Sequence, residues 1–439
     1  MTPNRRPRSA PNDRELRLWK VGLALTASFA AAVLIASSVF YGLYSLLGVK
    51  EIGSTAKLNA KTLFDLVKLS FGVVAGAGAL VALVVAYRRQ RVDEVGAHRE
   101  ATKLHSERFS QAVDKLGSDS PAVRLGGVHA LAGLADDAPT QDLRQTCIDV
   151  LCAYLRLPFS PDPGDLPDTF PDGTSPSEER RDTHQDKKDR YRALREVRHT
   201  ILRLIGDHYR IPKGTHRSWQ GYNLDLTKVV IDGDLSFSSA TFSDGDVSFF
   251  GVTFSGGDVD FSSATFSDGI VDFRGARFSG GDVYFSGARF SGGGVPFSGV
   301  TFSGGYVYFD GVTFSGGDVR FSGARFSGGD VRFSGARFSG GDVDFSGARF
   351  SGGDVSFSGA RFSGGDVPFS RATFSGGDVD FSDTEFSGGN VDFSRAEFSG
   401  GTVDFRDACG PAPHALLAAV GTPAPAEVNL PSSWLLPSP

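Results

Sequence analysis

The sequence predicts a mainly β protein organised around a β-solenoid, with helical segments ahead of it. Residues 234–408 repeat a unit of 12 residues, of which one copy runs from Val331 to Asp342. Phe recurs in two rows at that period, and Gly-rich steps separate successive Phe residues. A short fixed period over this length is typical of a solenoid, in which each unit buries its apolar face by stacking on its neighbours.

Within one unit, the spacing of apolar residues predicts two short strands joined by corners. Val331 and Phe333 are two positions apart, so they share one side of an extended chain. Phe333 and Phe338 are five positions apart, so both can face one core only if the chain turns between them. Gly335 suits that corner because glycine adopts positive φ at little steric cost, and the Gly pair before Asp342 suits a second, longer corner. The resulting core ladder includes Phe314, Phe321, Phe326, Phe333, Phe338, Phe345, Phe350 and Phe357.

The repeat resembles the pentapeptide-repeat family, whose unit carries a large apolar residue at its centre and a small apolar residue two places earlier. Val-x-Phe-Ser-Gly and Ala-x-Phe-Ser-Gly are two such units, and they alternate here. The resemblance implies a right-handed quadrilateral β-helix, the pentapeptide-repeat solenoid. This sequence departs from the family pattern by an added Gly-Asp after every second unit, which predicts coils of 24 residues with two enlarged corners.

A two-sided coil of 12 residues is the alternative. Opposed Phe rings need about 10 Å between sheets, which is tight for so short a loop. We therefore favour the 24-residue coil.

The beginning of the chain predicts attachment to a membrane. Residues 1–20 form a basic tail, and residues 21–91 are predicted to hold two transmembrane helices with a short loop between them. The segments 21–47 and 69–87 carry no charged side chain and are long enough to span a bilayer. Basic residues on both outer flanks place both termini in the cytoplasm by the positive-inside rule. We expect a multi-pass protein of the cell membrane.

Five further segments complete the predicted organisation. Residues 92–157 form a small α-helical adaptor, in which two amphipathic helices look like a single HEAT-type unit, and residues 158–186 form a flexible linker rich in Pro and Asp. A helix over 187–214 leads into the solenoid, which spans 215–408 and whose open end Trp219 is expected to plug. Residues 409–439 form a C-terminal cap and tail, because an open solenoid end exposes apolar core and unpaired strand edges.

No catalytic or metal-binding motif stands out, so we expect a protein that is not an enzyme and needs no cofactor. The eight His residues are scattered, and none has a metal-ligand spacing. The Gly-Gly-Asp steps resemble part of a calcium-binding nonapeptide repeat, but their period differs and the second Asp of that motif is missing. A tight corner explains the Gly-Gly-Asp sequence without metal.

The repeats are acidic, although the chain as a whole has a net charge of only −6. Residues 233–408 hold 23 acidic and 12 basic side chains, a net charge of −11. We expect these charges to form surface ladders along the edges of the rod. The candidate surface residues are Asp318, Asp330, Asp342, Asp354, Asp366, Arg325, Arg337, Arg349 and Arg361.

These features predict a non-enzymatic, membrane-anchored protein-interaction scaffold on the cytoplasmic face. Its partner is a protein whose identity, like the oligomeric state, the sequence leaves open. The alternative is a DNA-mimicking rod that binds a type II topoisomerase such as gyrase, since some pentapeptide-repeat proteins are negatively charged rods of duplex-like width. Against that alternative, the Arg residues interrupt the negative field. We do not expect direct binding to nucleic acid, because the repeats are acidic.

Overall fold

The computed structural model describes residues 60–171, 174–421 and 426–435, together with isolated positions between 26 and 41. The chain divides into two compact units, Met1–Ala101 and Thr102–Pro439. In the first unit, the described residues are helical, and those from 60 onward belong to α1 (Ala60–Leu116).

The predicted transmembrane hairpin is not supported by the structure. Across the part of the chain that is described, no helix combines the length and the apolar character that crossing a bilayer requires. The predicted span 69–87 lies within α1, whereas the basic tail 1–20 and most of the predicted span 21–47 fall outside the described residues.

Three helices precede the solenoid in the second unit: α2 (Pro121–Asp136), α3 (Gln141–Arg156) and α4 (Glu178–Arg210). Helix α4 begins earlier than the sequence predicts, so the non-helical part of the predicted 158–186 linker ends at Ser177. The Ser177 hydroxyl accepts a hydrogen bond from the Arg180 backbone N–H at 3.3 Å. This N-cap starts the helix within a charged segment that lacks apolar periodicity, which explains why the spacing of apolar residues did not reveal it.

The solenoid is a four-faced stack of parallel β-strands. Val283 pairs with Val307, and Val307 pairs with Val331, so equivalent residues are 24 positions apart, as the favoured coil requires. Each coil therefore contains two 12-residue units. The first coil is slightly shorter, because Leu224 pairs with Val247.

The strands of the four faces are named here in the order in which one coil meets them. The first face contains β1 (Leu224–Asp225), β5 (Val247–Ser248), β9 (Val271–Asp272) and β19 (Val343–Asp344). The second contains β2 (Val230–Ile231), β6 (Thr253–Phe254), β10 (Arg277–Phe278), β13 (Thr301–Phe302), β16 (Arg325–Phe326), β20 (Arg349–Phe350), β23 (Thr373–Phe374) and β26 (Glu397–Phe398).

The third face contains β3 (Leu235–Ser236), β7 (Val259–Asp260), β11 (Val283–Tyr284), β14 (Val307–Tyr308), β17 (Val331–Arg332), β21 (Val355–Ser356), β24 (Val379–Asp380), β27 (Val403–Asp404) and β28 (Val428–Asn429). The fourth contains β4 (Thr241–Phe242), β8 (Thr265–Phe266), β12 (Arg289–Pro296), β15 (Thr313–Arg320), β18 (Arg337–Ser339), β22 (Arg361–Pro368) and β25 (Glu385–Asp392). Strands β12, β15, β22 and β25 continue around the corner and add their last residues to the first face.

Phe rings fill the interior in four columns, one for each face. The two rows seen in the sequence each split into two columns, because successive members of a row lie half a coil apart. Phe333 stacks on Phe309 at 4.7 Å and on Phe357 at 4.8 Å between ring centroids, with rings within 2° of parallel. The columns of the opposite first and third faces meet edge to face, as between Phe345 and Phe333 at 5.5 Å. Columns of adjacent faces meet at tilted angles, as between Phe345 and Phe350 at 6.4 Å and 44°. The eight Phe residues of the candidate core ladder, 314 to 357, are all buried.

Two kinds of corner alternate around each coil. Short corners carry a positive-φ residue such as Gly335, whose φ is +65° and which has open space around its Cα hydrogen. Long corners carry the Gly-Gly-Asp sequence, and there the backbones of successive coils touch. A side chain on Gly341 (φ +71°) would lie 2.8 Å from the carbonyl carbon of Gly316 and closer still to the Gly317 oxygen.

Both ends of the solenoid are covered. At the first coil the Tyr209 ring of α4 lies 5.2 Å from Phe242, and the buried Arg198 donates hydrogen bonds to the Leu155 and Val230 carbonyls. At the last coil the Trp434 ring contacts Phe386 at 5.9 Å and Phe405 at 5.6 Å. This C-terminal cover is formed by β28 and two short helices, α5 (Leu416–Val420) and α6 (Ser432–Leu435).

Replacing one stacked ring should destabilise the rod. We predict that Phe326→Ala lowers the free energy of unfolding of the full chain by about 3–5 kcal/mol, because it leaves a cavity between two coils. Urea denaturation monitored by circular dichroism measures this change. Arg325→Ala is the matched control, since Arg325 is the exposed neighbour in the same strand, and it should change stability by no more than about 0.5 kcal/mol. Equal unfolding midpoints for both variants would contradict the inward stacking.

The two kinds of corner should respond differently to the same substitution. We predict that Gly335→Ala costs about 1–2 kcal/mol, because alanine is strained at positive φ but has room. Gly341→Ala should have the same strain and lose about 1–3 kcal/mol more of the free energy of unfolding, because its methyl group overlaps the preceding coil. Short corners already accept other residues, since Ser263 and Arg371 both have φ of 58°. Thermal unfolding of the two variants side by side measures the difference, and equal losses would show that the long corner is not crowded.

Candidate functional surface

The candidate Asp ladder divides into two columns on diagonally opposite long corners. Asp330 and Asp354 lie between the second and third faces, whereas Asp318, Asp342 and Asp366 lie between the fourth and first faces. Asp330, Asp342 and Asp354 each accept a hydrogen bond from the backbone of the next coil. Asp318 pairs with Arg320, whose Nη2 lies 3.0 Å from Asp318 Oδ2. Asp330 Oδ1 accepts from the Asp354 N–H at 3.0 Å, and Asp342 Oδ1 accepts from the Asp366 N–H at 3.1 Å.

This hydrogen bond explains the Gly-Gly-Asp sequence. Between the second and third faces, the second Gly of the next coil lies directly over the carboxylate, so a Cβ on Gly353 would overlap Asp330 Oδ1. Between the fourth and first faces, the second Gly lies over the backbone of the preceding coil. The carboxylates therefore have a structural partner, and they remain at the surface with a second oxygen available. Within the described ranges, no group of three or more His, Cys, Asp or Glu side chains is placed to hold a metal ion.

The candidate Arg residues lie away from the Asp columns, on the two faces between them. Arg325 and Arg349 are register partners on the second face, and Arg337 and Arg361 are register partners on the fourth. All four side chains are exposed. Like charges in neighbouring strands repel, and Arg361 relieves part of this through Glu385, whose Oε2 lies 3.5 Å from its Nε. The candidate Asp residues and these four candidate Arg residues thus occupy separate strips, whereas other Arg residues such as Arg320 and Arg332 lie on the first and third faces near carboxylates.

A surface feature that sequence reasoning missed is a column on the third face, which we name the tyrosine column: Asp260, Tyr284, Tyr308 and Arg332. These four residues occupy successive strands in direct register. Their spacing of 24 in the sequence could have revealed them once the coil length was fixed. Three of the four Tyr residues within 215–408 lie here, since Tyr306 is next to Tyr308 at 6.0 Å between centroids.

The junction between the helices and the solenoid contains a buried polar cluster that the sequence also did not reveal. Asp136, the last residue of α2, accepts hydrogen bonds from Trp219 Nε1 at 3.1 Å and from Arg217 Nε at 3.0 Å. His208 Nε2 lies 3.1 Å from Asp136 Oδ1, and its ring stacks on Trp219 at 4.1 Å. Trp219 is fully buried in this cluster, and the aromatic side chain that contacts the Phe columns is Tyr209.

The Asp136 cluster should make the stability of the junction depend on pH. Burial raises the pKa of Asp136, but hydrogen bonds from His208, Arg217 and Trp219 outweigh it and hold that pKa below its ordinary value. A lowered pKa in the folded state stabilises the fold above the unfolded-state pKa, and this contribution is lost as the pH falls through the folded-state pKa.

We predict that Asp136→Asn costs about 2–3 kcal/mol at pH 7, because charged hydrogen bonds in a buried site are lost. The difference from the wild type should begin to shrink as the pH falls below about 4, where Asp136 of the unfolded chain becomes protonated, and should disappear below the lower pKa of the folded state. Urea titrations of both proteins at pH 7, 5 and 3 measure it. A difference that stays constant over this range would rule out an ionised Asp136 in the fold.

Comparison with known proteins supports the identity of the repeats. The family model described as "Pentapeptide repeats (9 copies)" matches residues 256–295, 292–337, 319–361 and 328–373. No curated protein and no solved structure matches the chain. The matched residues lie within the four-faced stack, so the chain contains pentapeptide repeats folded as a β-solenoid.

Proposed function

We propose that this pentapeptide-repeat solenoid is a non-enzymatic scaffold that binds a protein partner along its side. The observation that carries the proposal is that like side chains recur in register along the rod: the candidate Asp residues on two long corners, the candidate Arg residues on the second and fourth faces, and Tyr284 with Tyr308 on the third. Because coils repeat at the strand spacing of about 4.8 Å, a partner can contact the same kind of side chain over several coils.

A capture experiment with the full chain tests this proposal. The wild type and three surface variants are crosslinked in native membranes and purified, and bound proteins are identified by mass spectrometry. The variants are Arg325→Ser with Arg349→Ser, Tyr284→Ser, and Asp354→Asn, which alter one strip each. We expect a specific protein that one variant loses and the other two retain. Capture that is unaffected by all three variants would contradict binding through the sides of the rod.

Attachment to the cell membrane with both termini in the cytoplasm is proposed from the uncharged segments 21–47 and 69–87 alone. A cysteine introduced as Ser54→Cys should react with an impermeant thiol reagent outside intact cells, whereas Ser175→Cys should not. The exposed Cys409 must first be replaced by Ser. Cys147 and Cys152 can stay, since they are buried and burial raises their pKa to about 11 and about 12. Labelling at position 175 instead would reverse the topology.

Mimicry of DNA toward a topoisomerase such as gyrase is the second candidate function. The observation that favours it is the placement of the Asp columns on diagonally opposite corners, which gives the rod two separate acidic ridges. A gyrase supercoiling assay with the full chain distinguishes the two functions. Absence of inhibition at micromolar concentration would remove this candidate and leave the scaffold.

A further inference from the structure

The tyrosine column has different groups at its two ends. Arg332 covers one end, with its guanidinium carbon 5.7 Å from the Tyr308 ring centroid, and its Nε lies 3.5 Å from Asp310 Oδ2. Tyr308 stacks on Tyr284 at 5.0 Å, with ring planes 6° apart. At the other end, the register partner of Tyr284 is Asp260. Over the described residues, no cation lies on that face of Tyr284.

The surroundings of the open end are acidic. Asp258 and Asp282 lie on the adjacent long corner, and the Tyr284 hydroxyl donates a hydrogen bond to Asp282 Oδ2 at 3.1 Å. Burial and this hydrogen bond raise the pKa of Tyr284 to about 12, so the hydroxyl stays protonated at physiological pH. The open end therefore combines an aromatic face with carboxylates, whereas at the other end the Arg332 cation lies between the Tyr308 ring and the Asp310 carboxylate.

We propose that the open face of Tyr284, together with Asp260, binds an arginine side chain of the protein partner, which deepens and rests on the proposed scaffold function. The guanidinium would stack on Tyr284 as that of Arg332 stacks on Tyr308, and would pair with the Asp260 carboxylate. Arginine fits better than lysine because its planar guanidinium both stacks on rings and bonds a carboxylate with two N–H groups.

The exposure of the column supports an interface. Tyr306, beside Tyr308, is 44% exposed although most outward positions of the rod are Ser, Asp, Arg or Gly. Tyrosine and arginine are the residues that most often dominate binding energy at protein interfaces. A purely structural role for the ring stack would account for the contact between Tyr284 and Tyr308, but it would not require a carboxylate, Asp260, as the register partner on the other side of Tyr284.

The test uses the purified full chain and a fluorescently labelled tetra-arginine peptide, with tetra-lysine and tetra-citrulline peptides of the same length for comparison. Binding is measured by fluorescence anisotropy at 150 mM salt. We expect the arginine peptide to bind more tightly than the lysine peptide. Tyr284→Ser should weaken binding of the arginine peptide about three- to five-fold, and Tyr284→Phe should retain it because the ring remains.

Asp260→Ser and Asp380→Ser form a matched pair of variants. Both residues are outward positions of the third face, and each carboxylate accepts a hydrogen bond from the Ser two residues later, at 2.7 Å and 2.8 Å. They remove the same charge, but only Asp260 is next to Tyr284. We expect a loss of about three-fold for Asp260→Ser and less than two-fold for Asp380→Ser. The Ser replacement at 284 should fold, since Ser236 and Ser356 occupy the equivalent position in other coils.

Equal losses for the two Asp variants, or no loss for Tyr284→Ser, would show non-specific attraction to an acidic rod and would overturn the proposal. The capture experiment separates this failure from failure of the scaffold. A partner that is captured by the wild type and by Tyr284→Ser, but is lost with the Arg325 and Arg349 variant, would keep the scaffold and place its binding surface on the second face.

Discussion

The structure depends on one constraint, which is that every residue of the solenoid must be compatible with the residues one coil above and one coil below. Phe meets Phe in the core, and the ring distance of 4.7 to 4.8 Å at Phe333 equals the spacing of hydrogen-bonded strands. At the long corners, Gly residues lie against the backbone of the preceding coil, and Asp side chains accept hydrogen bonds from backbone N–H groups of the next coil. A repetitive sequence is the simplest way to satisfy this requirement everywhere along the rod.

The same constraint separates structural from functional surface. In the sequence the Asp columns look like surface charges without a structural role, yet Asp330, Asp342 and Asp354 each accept a hydrogen bond from the backbone of the next coil. Among the described hydrogen bonds, none joins the side chains of the Arg pairs of the second and fourth faces, or those of Tyr284 and Tyr308, to the backbone of a neighbouring coil. Variation at those outward positions is therefore free to serve recognition.

Much of the fold could be predicted from the sequence because the spacing of residues within the repeat indicates where the chain must turn. Phe333 and Phe338 are five positions apart in the sequence, so both can face the core only if the chain turns between them. The added Gly-Asp predicts a second, wider corner. The junction could not be predicted in this way, since Asp136, His208 and Trp219 come together from three segments with no periodic relation. Helix α4 was placed too late because its first half is charged throughout, and its start depends on the cap at Ser177.

The candidate surface was only partly visible in the sequence for a related reason. Two positions that are 12 apart, such as Asp318 and Asp330, look like neighbours in one ladder but lie on opposite corners. The tyrosine column appears only when positions 24 apart are compared. Residues within a unit define the core, whereas the coil length decides which outward side chains meet.

Because a coil contains two 12-residue units, the number of units between the helical end and a given residue determines which side of the rod that residue occupies. Gaining or losing a single 12-residue unit would rotate all later residues by half a turn and move the tyrosine column to the opposite side. Gaining or losing a pair would only change the distance from the helical end, by about 4.8 Å. Duplication of whole coils, two units at a time, would therefore lengthen this solenoid during evolution while each surface column kept its orientation relative to the helical end.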